Sequence, residues 1–188
     1  MCKKVNRLDS ELALAKEYGF EATSKNSRAR NPYMLLNDGN CLLWIAGELI
    51  AIVTTEVHFG EHLHRQRWKS SSGNNPDATL TTTEIDSNGL GVHTEIYYRE
   101  AYRNTIERTA KDFNLPETSI VIDHVNHMRG DCRRENLRPA TMAQNNQNRS
   151  PIKVTKAFYT LDDLKAKLAS GEWTPLSNTA IYYKLRED

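Results

Sequence analysis

The stretch that most constrains this chain is Val121 to Ser150, VIDHVNHMRGDCRRENLRPATMAQNNQNRS. Ser119-Ile120-Val121-Ile122 is a β-branched run entering Asp123-His124, and Asn136-Leu137-Arg138 reads as the returning strand, with a polar, glycine-containing loop between them. Thr141-Met142-Ala143-Gln144 then has the T-x-x-Q form of a capping box, in which the hydroxyl and the amide satisfy orphan N–H groups of a first turn. A helix is therefore expected from about Met142, with Pro151 as its stop. On it Asn145 and Asn148, three residues apart, share a face, and Asn146 is rotated away by about 100°.

Residue type dictates what such a strand-loop-strand-helix frame can do. The carboxylate of Asp123 and the amide oxygen of Asn145 are hard ligands suited to one Mg²⁺ (or Mn²⁺) ion that keeps several waters and takes further contacts from phosphate; Asn148 is a third oxygen donor or a solvated neighbour. His124, with an ordinary pKa of about 6.5, can take a proton from water near pH 7. Neighbours on a strand point to opposite faces, so Asp123 and His124 serve one site only if the strand ends or twists there. The plain alternative is a surface Asp-His pair beside an asparagine-rich helix cap.

Asp123-His124-Val125-Asn126, Asp131, Arg133-Arg134-Glu135-Asn136-Leu137-Arg138, and Asn145 with Asn148 together resemble, in register, the motif of the HNH endonucleases with the ββα-metal fold, above all the phage and intron homing type. Two positions depart from that pattern: His127 stands where a turn glycine is usual, and Cys132 where an asparagine is usual. The resemblance covers about thirty residues. It implies that His124 is the general base, that Asp123 and Asn145 hold a single divalent metal, and that Asn136 braces the loop and orients the base. The implied reaction is hydrolysis of DNA phosphodiester bonds at a recognised site, leaving 5′-phosphate and 3′-hydroxyl ends. A restriction-type or weakly specific nuclease on the same frame, or a DNA-binding regulator that does not cut, are the alternatives.

Net charge is only +1, but its distribution is uneven: residues 99–156 hold 11 Lys and Arg against 7 Asp and Glu, and the remainder is net acidic. The basic excess surrounds the proposed site, where Arg133, Arg134, Arg138 and Arg149 are the candidate contacts to double-stranded DNA phosphates. No run approaches the length of a membrane span, and the first residues lack the apolar core of a signal peptide, so a cytoplasmic monomer is expected, in a host cell if phage-encoded. Three widely spaced cysteines without a C-x-x-C pair indicate neither structural zinc nor a disulfide framework.

Three regions follow, in an α+β chain. Residues 1–94 form a β-rich part that is a candidate for touching DNA. It opens with a helix capped by Asp9 or Ser10 and stopped by Gly19, continues as a meander from Tyr33 to Val57, and adds strands near Leu80 and Gly91 expected to rejoin the same sheet. Between these, His58, His62, His64 and Trp68 read as a solvated or DNA-facing segment rather than a metal site. Residues 95–156 hold the HNH core, led by an amphipathic helix from Glu95 to Asp112 that buries Tyr98, Tyr102, Ile106, Ala110 and Phe113. Residues 157–188 are helical. They read either as a helix-turn-helix presenting Tyr182 and Lys184 to DNA, or as a helical hairpin packed on the core.

Overall fold

Strands whose alternate residues are apolar on both sides must be covered on both faces, and that requirement organises the molecule. The computed structural model describes residues 7–21, 31–60, 67–73, 75, 78–85, 91–93, 102–148 and 156–176. Tyr33–Leu35 (β1), Asn40–Ile45 (β2) and Leu49–Thr54 (β3) form an antiparallel meander. Its first turn is closed by Asp38, whose carboxylate accepts from the Asn40 N–H at 2.9 Å, with Gly39 at φ 86° where a side chain would be strained. Leu35, Leu43, Ala51 and Val53 point to one side, and Met34, Leu42, Ile50 and Ile52 to the other.

Different parts of the chain cover the two faces. On the second face Ala15 of helix α1 (Arg7–Glu17) packs with Leu164 of α5 (Leu161–Ala169) and with Trp173. Helix α1 starts earlier than expected, so Asp9 and Ser10 lie inside it rather than at its cap. It ends as expected at Gly19 (φ 84°), where Phe20 N–H donates to Ala15 O and Gly19 N–H to Lys16 O, both at 3.0 Å. Helix α5 begins at a capping box, Thr160 with Asp163. On the first face lie Ile106 and Ala110 of α3 (Arg103–Asp112), with Ile120, Ile122, Leu137 and Phe158.

Several expectations are corrected. Strand β3 gives way at Thr55 to a short helix, α2 (Thr55–Gly60), which buries His58 against the Phe59 ring. Trp68 is buried rather than solvated, with its backbone N–H and carbonyl both bonded to the Asn31 side chain. It opens β4 (Trp68–Ser70), which pairs with β5 (Leu80–Ile85) and β6 (Gly91–His93) in a separate three-stranded sheet. These strands do not rejoin the meander. Phe113 is half exposed, because α3 ends there and Asn114 turns the chain at φ 50°; Tyr98 lies outside the described residues.

The free edge of β3 is filled from far along the sequence. Asp131–Cys132 (β8) runs parallel to it, Ile52 beside Asp131 and Val53 beside Cys132. One step back, Ile50 and Tyr159 exchange backbone hydrogen bonds at 2.8 and 3.0 Å. Gly130 joins both neighbours, accepting from Ile52 N–H at 2.9 Å and donating to Ala157 O at 2.8 Å. Residues 1–94 and 95–156 thus share a sheet and a core. Among the described residues no helix is long and apolar enough to cross a membrane.

Candidate active site

The site grows from a two-stranded ribbon with a helix laid beside it. Ile120–His124 (β7) pairs antiparallel with Leu137–Thr141 (β9), which places Asp123 opposite Arg138 and His124 opposite Leu137. Helix α4 (Met142–Asn148) starts where the sequence indicates: Gln144 N–H donates to Thr141 Oγ1 at 3.2 Å, and Thr141 N–H to Gln144 Oε1 at 2.9 Å. The helix then runs back along β7. At about 1.5 Å per residue it needs roughly seven residues to retrace what a strand covers in three. Asn148, seven residues beyond Thr141, therefore comes level with Asp123.

The hydrogen bonds follow that geometry. Asn148 Nδ2 donates to Asp123 Oδ1 at 3.1 Å, to Asp123 Oδ2 at 3.0 Å and to the His124 carbonyl at 3.2 Å. Arg138 reaches across from β9 to the same carboxylate, with Nε at 3.0 Å and Nη2 at 2.9 Å from Oδ2. Asp123 is buried, at 4% exposure, while the Arg138 side chain is 48% exposed. Of the two helix asparagines, Asn148 is the one hydrogen-bonded to Asp123; Asn145, one turn earlier on the same face, is partly buried and has no hydrogen bond to that carboxylate.

These residues fit a divalent cation by the chemistry of their donors. Oxygen ligands on adjacent corners of an octahedron with bonds of about 2.1 Å lie about 3 Å apart. The Asn148 amide stands at that distance from both carboxylate oxygens, and with its carbonyl turned inward it offers oxygen in place of N–H. Among the described residues no group of three or more His, Cys, Asp or Glu is arranged to hold a metal, so a cation here relies on an amide ligand.

His124 is the last residue of β7, so the alternation of side chains stops with it. Its Nε2 lies 3.7 Å from Cys132 Sγ, and that thiol is 3.6 Å from the Arg129 carbonyl. Burial pushes the imidazole down to about 4, with Arg129 acting the same way and the Asp131 and Asp123 carboxylates opposing. The ring is therefore neutral at pH 7.

A second polar cluster holds the loop between the strands. Asn136, nearly buried, donates through Nδ2 to Asp131 O at 2.7 Å and accepts at Oδ1 from Asn126 N–H at 2.9 Å; its backbone carbonyl takes Val125 N–H at 2.9 Å. Asp131 is fully buried. Its carboxylate accepts from Asn126 Nδ2 at 2.8 Å, Arg133 Nε at 2.8 Å, Arg133 Nη2 at 2.7 Å and the Tyr159 hydroxyl at 3.4 Å. That fork raises the Arg133 pKa further, chiefly through its hydrogen bonds to Asp131. His127, at the position where the resembled family carries glycine, adopts φ 65°.

Arg133, expected on phosphate, is thus committed to Asp131 within the chain. Arg134 is 53% exposed, its N–H anchored on Thr54 Oγ1 at 2.7 Å and its guanidinium 6.0 Å from the centre of the Tyr102 ring. Arg149, Tyr182 and Lys184 lie outside the described residues. Sequence reasoning gave no role to Asn126, Asp131 or Tyr159. It also missed Arg138 as a partner of Asp123, which the cross-strand register reveals once the hairpin pairing is known.

Comparison of the chain with protein-family models, with curated proteins and with solved structures finds no match.

Proposed function

We propose that this protein is a metal-dependent DNA endonuclease of the HNH type, with β7, the loop, β9 and α4 as its ββα-metal unit. The observation behind the reading is a buried carboxylate, Asp123, joined by an amide from the returning helix, with His124 next to it in sequence at the end of the same strand and neutral at pH 7. Asp123 with Asn148, and Asn145 one turn away on the same helix face, would hold one Mg²⁺ or Mn²⁺ ion. When bound, the ion offsets charge building on the phosphate and on the leaving 3′ oxygen. His124, neutral at working pH, accepts the proton of the attacking water, while Asn136 fixes the loop that follows it. Arg134 and Arg138, both about half exposed, are candidate contacts to backbone phosphate. A site-recognising, homing-type role for the whole chain, acting as a monomer on duplex DNA, is part of the same proposal, and a helix-turn-helix in the tail would supply recognition.

The test uses supercoiled plasmid with and without Mg²⁺. Nicked or linear product should require the ion, and His124→Ala should lower cleavage by about 10²- to 10⁴-fold while leaving DNA binding by gel shift intact. Undiminished cleavage by His124→Ala would overturn the proposed base. A second reading, a regulator that binds DNA without cutting, is favoured by one feature: Asp123 meets N–H donors from Asn148 and Arg138. Binding with no cleavage in either Mg²⁺ or Mn²⁺ would select it.

A further inference from the structure

Arg138 is the most conspicuous group that this mechanism leaves without a defined step. Two of its nitrogens converge on a single oxygen, Asp123 Oδ2, at 3.0 and 2.9 Å, while Asn148 donates to both oxygens of that carboxylate. The two ends of the contact differ in exposure. Asp123 is held in the ribbon at 5% side-chain exposure, whereas the arginine side chain is 48% exposed and opposite it on β9. A buried carboxylate needs a partner cation, since an unpaired buried charge is costly. An arginine anchored at one exposed end can give up that partnership without unfolding anything.

Resting on the reading of Asp123 as a cation ligand, we propose that Arg138 is an exchangeable counter-cation. Its guanidinium neutralises Asp123 in the free protein, leaves that carboxylate when a divalent cation is taken up, and then becomes a ligand for a DNA backbone phosphate. Three observations converge on this. The guanidinium and Asn148 together use the oxygen positions that a cation would need. Arg133, in the same basic run, is instead locked on the fully buried Asp131, with 26% side-chain exposure, and does not have this freedom. The only cation hydrogen-bonded to Asp123 among the described residues is thus also one with a solvent-facing route to substrate. Competition and release are one coupling seen from two ends: whatever Arg138 costs the divalent cation in affinity, the divalent cation costs the Arg138–Asp123 pair.

The experiment measures Mn²⁺ binding to the full chain without DNA, by the loss of the free-ion electron paramagnetic resonance signal, in wild type, Arg138→Gln, Arg138→Lys and Asp123→Asn. A neighbouring unit charge shifts equilibria at a carboxylate by about one to three log units. Arg138→Gln should therefore bind Mn²⁺ at least about tenfold more tightly than wild type. Arg138→Lys, which keeps the charge and most of the stem, should lie between them and serves if the glutamine variant does not fold. Asp123→Asn should lose the site. Affinity unchanged or lower in both Arg138 variants, with binding still dependent on Asp123, would overturn the exchange while leaving the metal site standing. Absence of any Asp123-dependent Mn²⁺ binding in wild type and variants alike would instead remove the metal reading, and the exchange with it. A second readout follows the released guanidinium onto DNA. With a random-sequence duplex, replacing Arg138 by Gln should lower the slope of log affinity against log salt by about one in Ca²⁺ and leave it unchanged in EDTA. An equal drop under both conditions would mean that Arg138 is free for phosphate without any exchange.

Discussion

The meander β1–β2–β3 and the ribbon β7–β9 with α4 are both built on antiparallel strands, yet they are held by different forces. The meander is apolar on both faces, and β2 is buried at every position. Nondirectional burial fixes it, and little of its surface is left to do chemistry. The ribbon packs Ile120, Ile122 and Leu137 into the core and buries Asp123 as well, but holds that carboxylate by hydrogen bonds from Asn148 and Arg138. Directional bonds set angles and distances to a few tenths of an ångström, which a site requires, and contribute only modestly to net stability. Position is thus supplied by the apolar sheet and the helices that cover it, the slab, through β8 and Gly130, and the candidate site by the ribbon.

That division can be broken or sharpened by substitution. A large stability loss is expected where the two regions join: Asp131→Asn leaves Arg133 without its buried counter-charge and should cost about 3–5 kcal/mol in denaturant titration. A loss under 1 kcal/mol would mean that the loop is not anchored there. Next, Leu43→Ala in the slab should cost about 2–5 kcal/mol, whereas Asn148→Ala on the ribbon should cost about 1 kcal/mol while abolishing tight Mn²⁺ binding. Equal stability losses would erase the contrast. Gly130→Ala comes third. Its new methyl would sit 2.4 Å from Phe158 Cδ1 and 3.0 Å from the Ala157 carbonyl, so a loss of about 1–3 kcal/mol is expected.

Two smaller effects refine the picture. His127→Gly relieves a left-handed residue and should stabilise by about 0.5 kcal/mol, after the greater freedom of glycine in the unfolded chain is offset; a lower melting temperature would show that the imidazole makes an offsetting contact. On the slab side, Asp163 is partly desolvated, but Lys156 and the Thr160 N–H and hydroxyl hold its carboxyl below the usual range. The stability contributed by that α5 cap is complete above about pH 4 and is lost as pH falls through the lowered value. Asp163→Asn should remove this acid-limb dependence; an unchanged limb would show that other carboxylates govern it.

How much was legible beforehand divides along the same line. The meander with its Asn-Asp-Gly turn, the glycine stop of α1, the Thr141–Gln144 cap and the helix at Leu161 are interactions among near neighbours, and residue types with their spacing reveal them. Trp68 was misread because a polar, histidine-rich setting says nothing of the Asn31 side chain that closes over its backbone. The three-stranded sheet was misassigned because alternation shows that a strand exists and not which strand it pairs with.

By itself the sequence determined an α+β chain, the strand-loop-strand-helix order of the candidate site, and the roster of Asp123, His124, Asn136 and two helix asparagines. Only the tertiary structure decided which of these meet. A helix advances less than half as far per residue as a strand, so Asn148 comes level with Asp123 and hydrogen-bonds to it. Arg133 and Arg138 stand five residues apart in one basic run, and packing sends the first to Asp131 beside β3 and the second to Asp123 on the ribbon. Burial and register, which arise only when distant segments share one core, make one arginine a structural tie and leave the other half exposed.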